Sequence, residues 1–215
     1  RLEGNDAISL AQSPSIEPMF LAFNPKFEPW TDKRVRQAAA HSINKDLIID
    51  RFLMGLADKM DGPLGEQQIC YTGPLDFVID YNPEKARALL AEAGYPDGFS
   101  ITLGTPNDRY INDEQVAQAV AQMMSRIGIQ TRVDTSTASQ FFSRRNALEF
   151  PIYMAGWGAS SGDMSSPLKS LVATYDPETG MGPTNAGRYS NPDMDALLIE
   201  AMSTIDDEKR DQMLQ

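Results

Sequence analysis

The stretch that decides the fold runs from Asn82 to Val133 and reads NPEKARALLAEAGYPDGFSITLGTPNDRYINDEQVAQAVAQMMSRIGIQTRV. It opens with Asn-Pro and repeats alanine and leucine at helical spacing until Gly94, which is the pattern of an amphipathic helix with a cap and a stop. A Pro-Asp-Gly turn follows at 96–98, and residues 99–103 then alternate between apolar and polar. A longer helical pattern and a second alternating segment come next. The stretch therefore predicts helix, strand, helix and strand in that order.

Further elements are predicted on both sides of this stretch. Short apolar or alternating runs predict strands at 19–23, 99–103, 129–133 and 151–157. Capping residues followed by apolar periodicity predict helices that begin near Asp32, Asn44, Asn82, Asn112, Thr137, Asn191 and Asp206. Because strands alternate with helices, the predicted fold class is α/β, with a mixed, partly parallel sheet covered by helices.

Composition excludes several classes of protein. The 215 residues are 41% hydrophobic and 23% charged, which suits one sizeable core or one large lobe. The net charge of -11 repels polyanions, so nucleic acid is not an expected partner. The longest apolar runs fall far short of the roughly 18 residues that a membrane span requires. Cys70 has no second cysteine or histidine cluster near it, so neither an intramolecular disulfide nor a metal site is expected.

One motif suggests an enzyme. Gly158-Ala-Ser-Ser-Gly162 matches the G-x-S-x-G pattern of serine hydrolases and follows a predicted strand, so Ser160 is a candidate nucleophile. Those hydrolases need a general base after the serine, whereas His41, the one histidine, lies far upstream in a predicted helix. We therefore interpret the motif as a tight loop at the end of a strand and predict that the protein is not an enzyme.

The same loop is a better candidate for ligand binding, because open α/β sheets bind ligands beyond the carboxyl ends of their strands. A tryptophan offers a flat apolar face, serines offer adaptable hydrogen bonds, and an aspartate offers a charge. The predicted ligand-binding residues are Trp157, Gly158, Ser160, Ser161 and Asp163, with Arg188 and Tyr110 as further candidates. The alternative is that Trp157 belongs to the core and that Asp163 caps the segment 164–172.

Several sequence blocks carry a family resemblance. They are Phe23-Asn24, DKRVRQA at 32–38, SINKDLI at 42–48, Gly62-Pro63, YNPEKARALLAEAGY at 81–95, Gly128-Ile129, Gly156-Trp157 and YSNPDMDALL at 189–198. Together, from about Pro18 onward, they resemble the periplasmic substrate-binding proteins of dipeptide, oligopeptide and nickel ABC importers, which form extracellular solute-binding protein family 5.

This resemblance implies a periplasmic-binding-protein type II fold, in which two lobes joined by a hinge close on a ligand. It implies that residues 1–17 lie near the hinge, that 18–205 form one ligand-binding lobe, and that 206–215 start a truncated helix. The implied partners are a peptide-like small molecule, the permease subunits of an ABC transporter and the missing N-terminal lobe, with no cofactor. The implied location is the periplasm, or a lipid anchor outside the inner membrane, with the leader absent from this sequence.

The sequence departs from the family at the ligand loop. In peptide-binding members, an aspartate three residues after the tryptophan holds the ligand's amino group, and Ser160 stands at that position. Asp163 matches a second aspartate of the family's loop, and Met164 replaces the usual proline. The ligand therefore stays open among a dipeptide, an oligopeptide, a glutathione-like conjugate, an opine-like compound and a metal complex.

Overall fold

The computed structural model describes residues 9, 11, 13, 15, 17–60, 79–159 and 162–215. Most of the predicted hinge-proximal segment lies outside these residues, as do Cys70 and two of the candidate ligand-binding residues, Ser160 and Ser161.

Four strands form one mixed sheet in the order β1-β4-β2-β3. The strands are β1 (Met19–Phe23), β2 (Phe99–Pro106), β3 (Ile129–Ser136) and β4 (Ile152–Gly156). β2 pairs in parallel with both β3 and β4, whereas β1 runs antiparallel to β4. The predicted α/β class with a partly parallel sheet is confirmed.

Helices cover this sheet and continue beyond it. They are α1 (Lys33–His41), α2 (Lys45–Phe52), α3 (Pro83–Glu92), α4 (Asp113–Ser125), α5 (Ala138–Asn146), α6 (Ser165–Pro167), α7 (Pro192–Ser203) and α8 (Asp207–Leu214), and a π-helical turn, Leu168–Val172, follows α6. The Asn82 side chain accepts a hydrogen bond from the amide of Lys85, so the Asn-Pro opening caps α3 as predicted. Of the helices described, none combines the length and the apolar character needed to cross a membrane.

The two faces of the sheet bury different clusters. On one face, side chains from α1, α3 and α4 pack on the strands, and Leu103 and Ile152 are fully buried there. Burying one such side chain contributes about 1.5–3 kcal/mol to stability. The other face is covered mainly by Phe141 of α5 and by Phe150. A third, methionine-containing cluster joins α7 and α8 to the segment after α6.

At the amino end of the parallel strands, two glycines allow the backbone of one segment to pack against that of another. Gly98, just before β2, has φ +74°, and a Cβ placed there would overlap the carbonyl oxygen of Gly128, just before β3. The amide of Phe99 donates to that same carbonyl at 3.1 Å. Backbone therefore packs on backbone at this end of the sheet.

Candidate functional site

The sheet topology brings three chain segments to one edge. Because β2 and β4 are parallel, the residues after Pro106 and those after Gly156 lie at the same end of the sheet. β1 is antiparallel to β4 and pairs Met19 with Gly156, so the residues before β1 reach this end too. We call this end the carboxyl edge and define it by Glu17, Arg109, Tyr110, Gly156, Trp157 and Gly158.

Tyr110 is bound directly to the end of β4. Its hydroxyl oxygen accepts a hydrogen bond from the amide of Gly156 at 2.9 Å. The ring lies so close that a Cβ on Gly156 would be 2.9 Å from Tyr110 Cε1 and 3.0 Å from Met19 Sδ. A glycine at 156 therefore allows the tyrosine ring to approach the strand end, and this contact joins the β2 and β4 loops.

An ion pair lies beside this tyrosine. Arg109 Nη2 donates to Glu17 Oε1 at 3.1 Å, and the guanidinium carbon lies 4.8 Å from the Tyr110 ring centroid. The Arg109 side chain is 44% exposed and that of Glu17 is 32% exposed. A charged pair with this much solvent contact is available to a polar ligand at low desolvation cost.

Asp113 holds the turn that carries Arg109 and Tyr110. Its side chain is buried, and Oδ2 accepts hydrogen bonds from the amides of Arg109 at 3.1 Å and Tyr110 at 3.0 Å. The sequence predicted a helix start at 112–113 but gave no indication that the carboxylate would reach back to the preceding turn. Neither Asp113 nor Arg109 was among the predicted site residues.

Trp157 is the first residue after β4, which lies between β1 and β2 in the sheet. Its amide donates to the carbonyl oxygen of Pro18 at 3.1 Å, and the residue is partly buried. Its indole nitrogen is buried and has no hydrogen-bond acceptor among the described residues. Gly158, the next residue, is exposed. Trp157 therefore belongs neither wholly to the core nor wholly to the surface, and Gly158 presents backbone to solvent beside it.

Asp163 lies deeper than these residues. It is 6% exposed, and its Oδ1 accepts hydrogen bonds from the amide of Ser165 at 2.9 Å and from its hydroxyl at 2.6 Å. Its Oδ2 accepts from Arg210 Nη2 at 2.5 Å. Burial alone would raise the pKa of Asp163, but the hydrogen bonds from Ser165 and Arg210 outweigh burial and hold the pKa below the ordinary aspartate value. The carboxylate thus bonds to Ser165 at the start of the segment 164–172, although the short helix there has Met164 as its N-cap and no side-chain capping bond.

Arg188 lies at the other end of the β1-β4 ladder. A Cβ on the preceding residue, Gly187, would be 3.1 Å from the carbonyl oxygen of Phe23, the last residue of β1. The guanidinium carbon of Arg188 lies 3.9 Å from the Tyr175 ring centroid, and Nη1 donates to the carbonyl of Asn185 at 2.8 Å. The structure thus brings Tyr110, Trp157 and Gly158 together, and Arg188 is held elsewhere.

Two further features are the contact that His41 makes and the arrangement of the side chains that could bind a metal ion. His41 is buried at the end of α1, with Nδ1 2.8 Å from the carbonyl oxygen of Asp80. This contact ties the start of the 79–82 segment to α1. Across the residues that the structure describes, His, Asp and Glu side chains form no group of three or more that would suit a metal ion.

Solved structures with this fold define the class of protein. The chain superposes with a TM-score of 0.82 and 25% identity on the ABC transporter-associated periplasmic binding protein DppA from Helicobacter pylori, solved in complex with the peptide STSA. The match covers 92% of this chain and 38% of that chain. The fold is that of the type II periplasmic binding proteins.

Sequence comparison gives the family. Residues 1–178 match the model described as "Bacterial extracellular solute-binding proteins, family 5 Middle", and the chain belongs to this family, whose members are substrate-binding proteins rather than enzymes. It is 32% identical to the glutathione-binding protein GsiB of Pectobacterium atrosepticum over 95% of this chain and 40% of that protein. It is 28% identical to heme-binding protein A of Haemophilus influenzae over 98% of this chain and 38% of that protein. The chain thus spans about two fifths of the length of these relatives.

Proposed function

We propose that this chain is part of a solute-binding protein that captures a peptide-like molecule for an ABC importer, with the carboxyl edge as one wall of the ligand cleft. The observation that carries the proposal is the convergence of Tyr110 and Trp157 at one strand end of the sheet, joined through Gly156. Aromatic faces beside exposed backbone and a few polar groups are typical of small-molecule sites.

The charges of the edge favour a ligand with both an acidic and a basic group. Asp163 is engaged by Arg210 and Ser165, and among the residues that define the carboxyl edge the charged side chains are those of Arg109 and Glu17. A ligand carboxylate would pair with the guanidinium and a ligand ammonium with the Glu17 carboxylate. Glutathione and short peptides carry both groups, and the relatives named for glutathione and solved with a peptide support this class.

Capture would follow from closure of two lobes. A ligand that touches both walls binds the closed arrangement more tightly than the open one and so shifts the population toward closure. The second wall would come from the rest of the longer protein, and the closed form would dock on the permease subunits. The location that suits this role is the periplasm, either in solution or held at the membrane by a lipid anchor.

Thermal-shift screening of the full-length protein against glutathione, dipeptides, tripeptides, heme and metal chelates would identify a ligand, because binding to the folded state raises the melting temperature. Calorimetry with that compound then tests whether the carboxyl edge lines the ligand cleft. We expect Trp157→Ala and Arg109→Met each to weaken binding at least about tenfold, as for buried aromatic and arginine anchors.

Arg51→Met is the matched control, because Arg51 is 71% exposed on α2 and pairs only with its neighbour Asp50 among the described residues. It should leave affinity unchanged. Wild-type affinity in both Trp157→Ala and Arg109→Met would overturn the proposal.

A further inference from the structure

A helix near the end of the chain is tied to the segment that follows β4. Arg210 of α8 donates through Nη2 to Asp163 Oδ2 at 2.5 Å, and the same nitrogen lies 3.4 Å from Ser165 Oγ. The side chains of Arg210 and Asp163 are 24% and 9% exposed. This ion pair joins residues 47 apart in the chain and is partly shielded from solvent.

A backbone hydrogen bond links Gly162, the neighbour of Asp163, to Ala159, two residues after Trp157. The amide of Gly162 donates to the carbonyl of Ala159 at 2.8 Å, so the residues next to Asp163 and those next to Gly158 are hydrogen-bonded to each other. Ala159 is itself buried. Through this hydrogen bond, we expect a displacement of Asp163 to reach the backbone that follows Trp157.

Stability alone does not account for a partly buried pair of this kind. The cost of removing two charges from water offsets most of their attraction, so such pairs contribute more to geometry than to net stability. α8 has Leu214 as its one buried residue, so apolar packing fixes its orientation only weakly. The guanidinium is planar and directional, which makes its contacts with Asp163 and Ser165 a specific orientation device.

We propose that Arg210 is a positioning residue for ligand capture: through Asp163 and Ser165 it fixes the backbone on which Trp157 and Gly158 face the cleft. This inference rests on the proposed function of the carboxyl edge. Arg210 does not touch the ligand in this scheme, and its effect on affinity arises from the placement of Trp157.

The test uses full-length protein with Arg210→Met, Arg210→Lys and Leu198→Ala. Leu198 is buried on α7 in the same cluster that holds α8, so its truncation lowers stability without removing the ion pair. Three quantities are measured: melting temperature, affinity for glutathione or the best compound of the screen, and the Trp157 signal in fluorine NMR of fluorotryptophan-labelled protein. That signal is assigned by its loss in Trp157→Phe.

We expect Arg210→Met to weaken binding about tenfold, because a displaced Trp157 loses part of its contact with the ligand, and to shift or broaden the Trp157 signal. Arg210→Lys should recover part of the affinity, because the charge stays while the planar fork is lost. Leu198→Ala should lower the melting temperature and leave the affinity and the Trp157 signal as in the wild type.

Two results would overturn the inference: an unchanged Trp157 signal in Arg210→Met, or the same signal change and affinity loss in Leu198→Ala. If no compound binds the wild type, the proposed function fails, and the NMR signal still decides whether Arg210 positions Trp157.

Discussion

The two ends of the sheet use glycine for opposite purposes. At the amino end, Gly98 brings its backbone against the backbone of Gly128, and nothing but backbone fits there. At the carboxyl end, Gly156 makes room for the Tyr110 ring and the Met19 side chain. The amino end is thus held by close backbone packing, whereas the carboxyl end carries aromatic and charged side chains that are partly exposed to solvent. We infer that substitutions at the two ends will separate stability from binding.

The largest effect is expected at the amino end. Gly98→Ala places a Cβ on a backbone oxygen that cannot move aside, at a residue with φ +74°. Overlap and backbone strain together should lower the free energy of unfolding by about 2–4 kcal/mol. Urea denaturation of the full-length protein measures this loss, and ligand affinity in the folded fraction should not change.

Gly55→Ala separates the two causes. Gly55 has φ +70°, but no atom lies within 4 Å of the place that an added methyl group would take, so this variant has the backbone strain without the overlap. It should lose only about 1 kcal/mol. Equal losses in the two variants would show that close packing at the amino end is not what makes Gly98 necessary.

The second effect is expected at the carboxyl end. In Gly156→Ala the new methyl group meets the edge of the Tyr110 ring and Met19 Sδ, which are side chains that can shift. The free energy of unfolding should therefore fall by only about 1 kcal/mol, while the displaced ring weakens ligand binding about tenfold. Calorimetry measures the ligand affinity, and urea denaturation measures the free energy of unfolding. A large stability loss with wild-type affinity would reverse the contrast between the two ends.

A smaller effect is expected from Tyr110→Phe. This change keeps the ring and removes the hydroxyl oxygen that accepts from the amide of Gly156. Loss of that one hydrogen bond should cost about 1 kcal/mol of stability and weaken binding only a few-fold. Tyr175→Phe is the control, because Tyr175 is an exposed tyrosine whose ring stacks on Arg188. The same affinity change in both variants would exclude a role for the Tyr110 hydroxyl.

The smallest change is expected from pH near neutrality. The Asp163 pKa is lower in the folded protein than in the unfolded chain, so the ionised carboxylate stabilises the fold above about pH 4, and this contribution disappears as the pH falls through the folded-state pKa. The difference in unfolding free energy between wild type and Asp163→Asn should stay constant from about pH 6 to pH 8 and shrink below about pH 4. Urea titrations across this range measure it. A difference that grows on acidification would contradict the sign.

Local patterns predicted most of the fold. Short apolar runs and alternating runs located the four strands that the structure describes, and the partly parallel pairing followed from the order of strands and helices. The prediction ended β2 at Leu103, yet the strand continues to Pro106. The physical reason is pairing between distant segments, because residues 104–106 pair in register with 134–136 of β3.

The site was predictable only where it follows from strand order. Trp157 could be named because open α/β sheets bind ligands beyond the carboxyl ends of their strands, and the parallel pairing of β2 and β4 brings the further candidate Tyr110 to the same edge. Arg109, the backward reach of Asp113 and the pairing of Asp163 with Arg210 could not, because each depends on side-chain contacts that leave no periodic signal. Trp30 shows the same limit, since this fully buried core residue sits in a turn rather than in a helix or strand.

Hydrogen–deuterium exchange of the full-length protein, with and without a ligand from the thermal-shift screen, tests most directly whether the carboxyl edge is a wall of the cleft. We expect the ligand to protect amides of the carboxyl edge, at 107–113 and 156–159, and to leave those of the amino end, at 96–99 and 126–129, unchanged. Protection at the amino end with no change at the carboxyl edge would contradict this assignment.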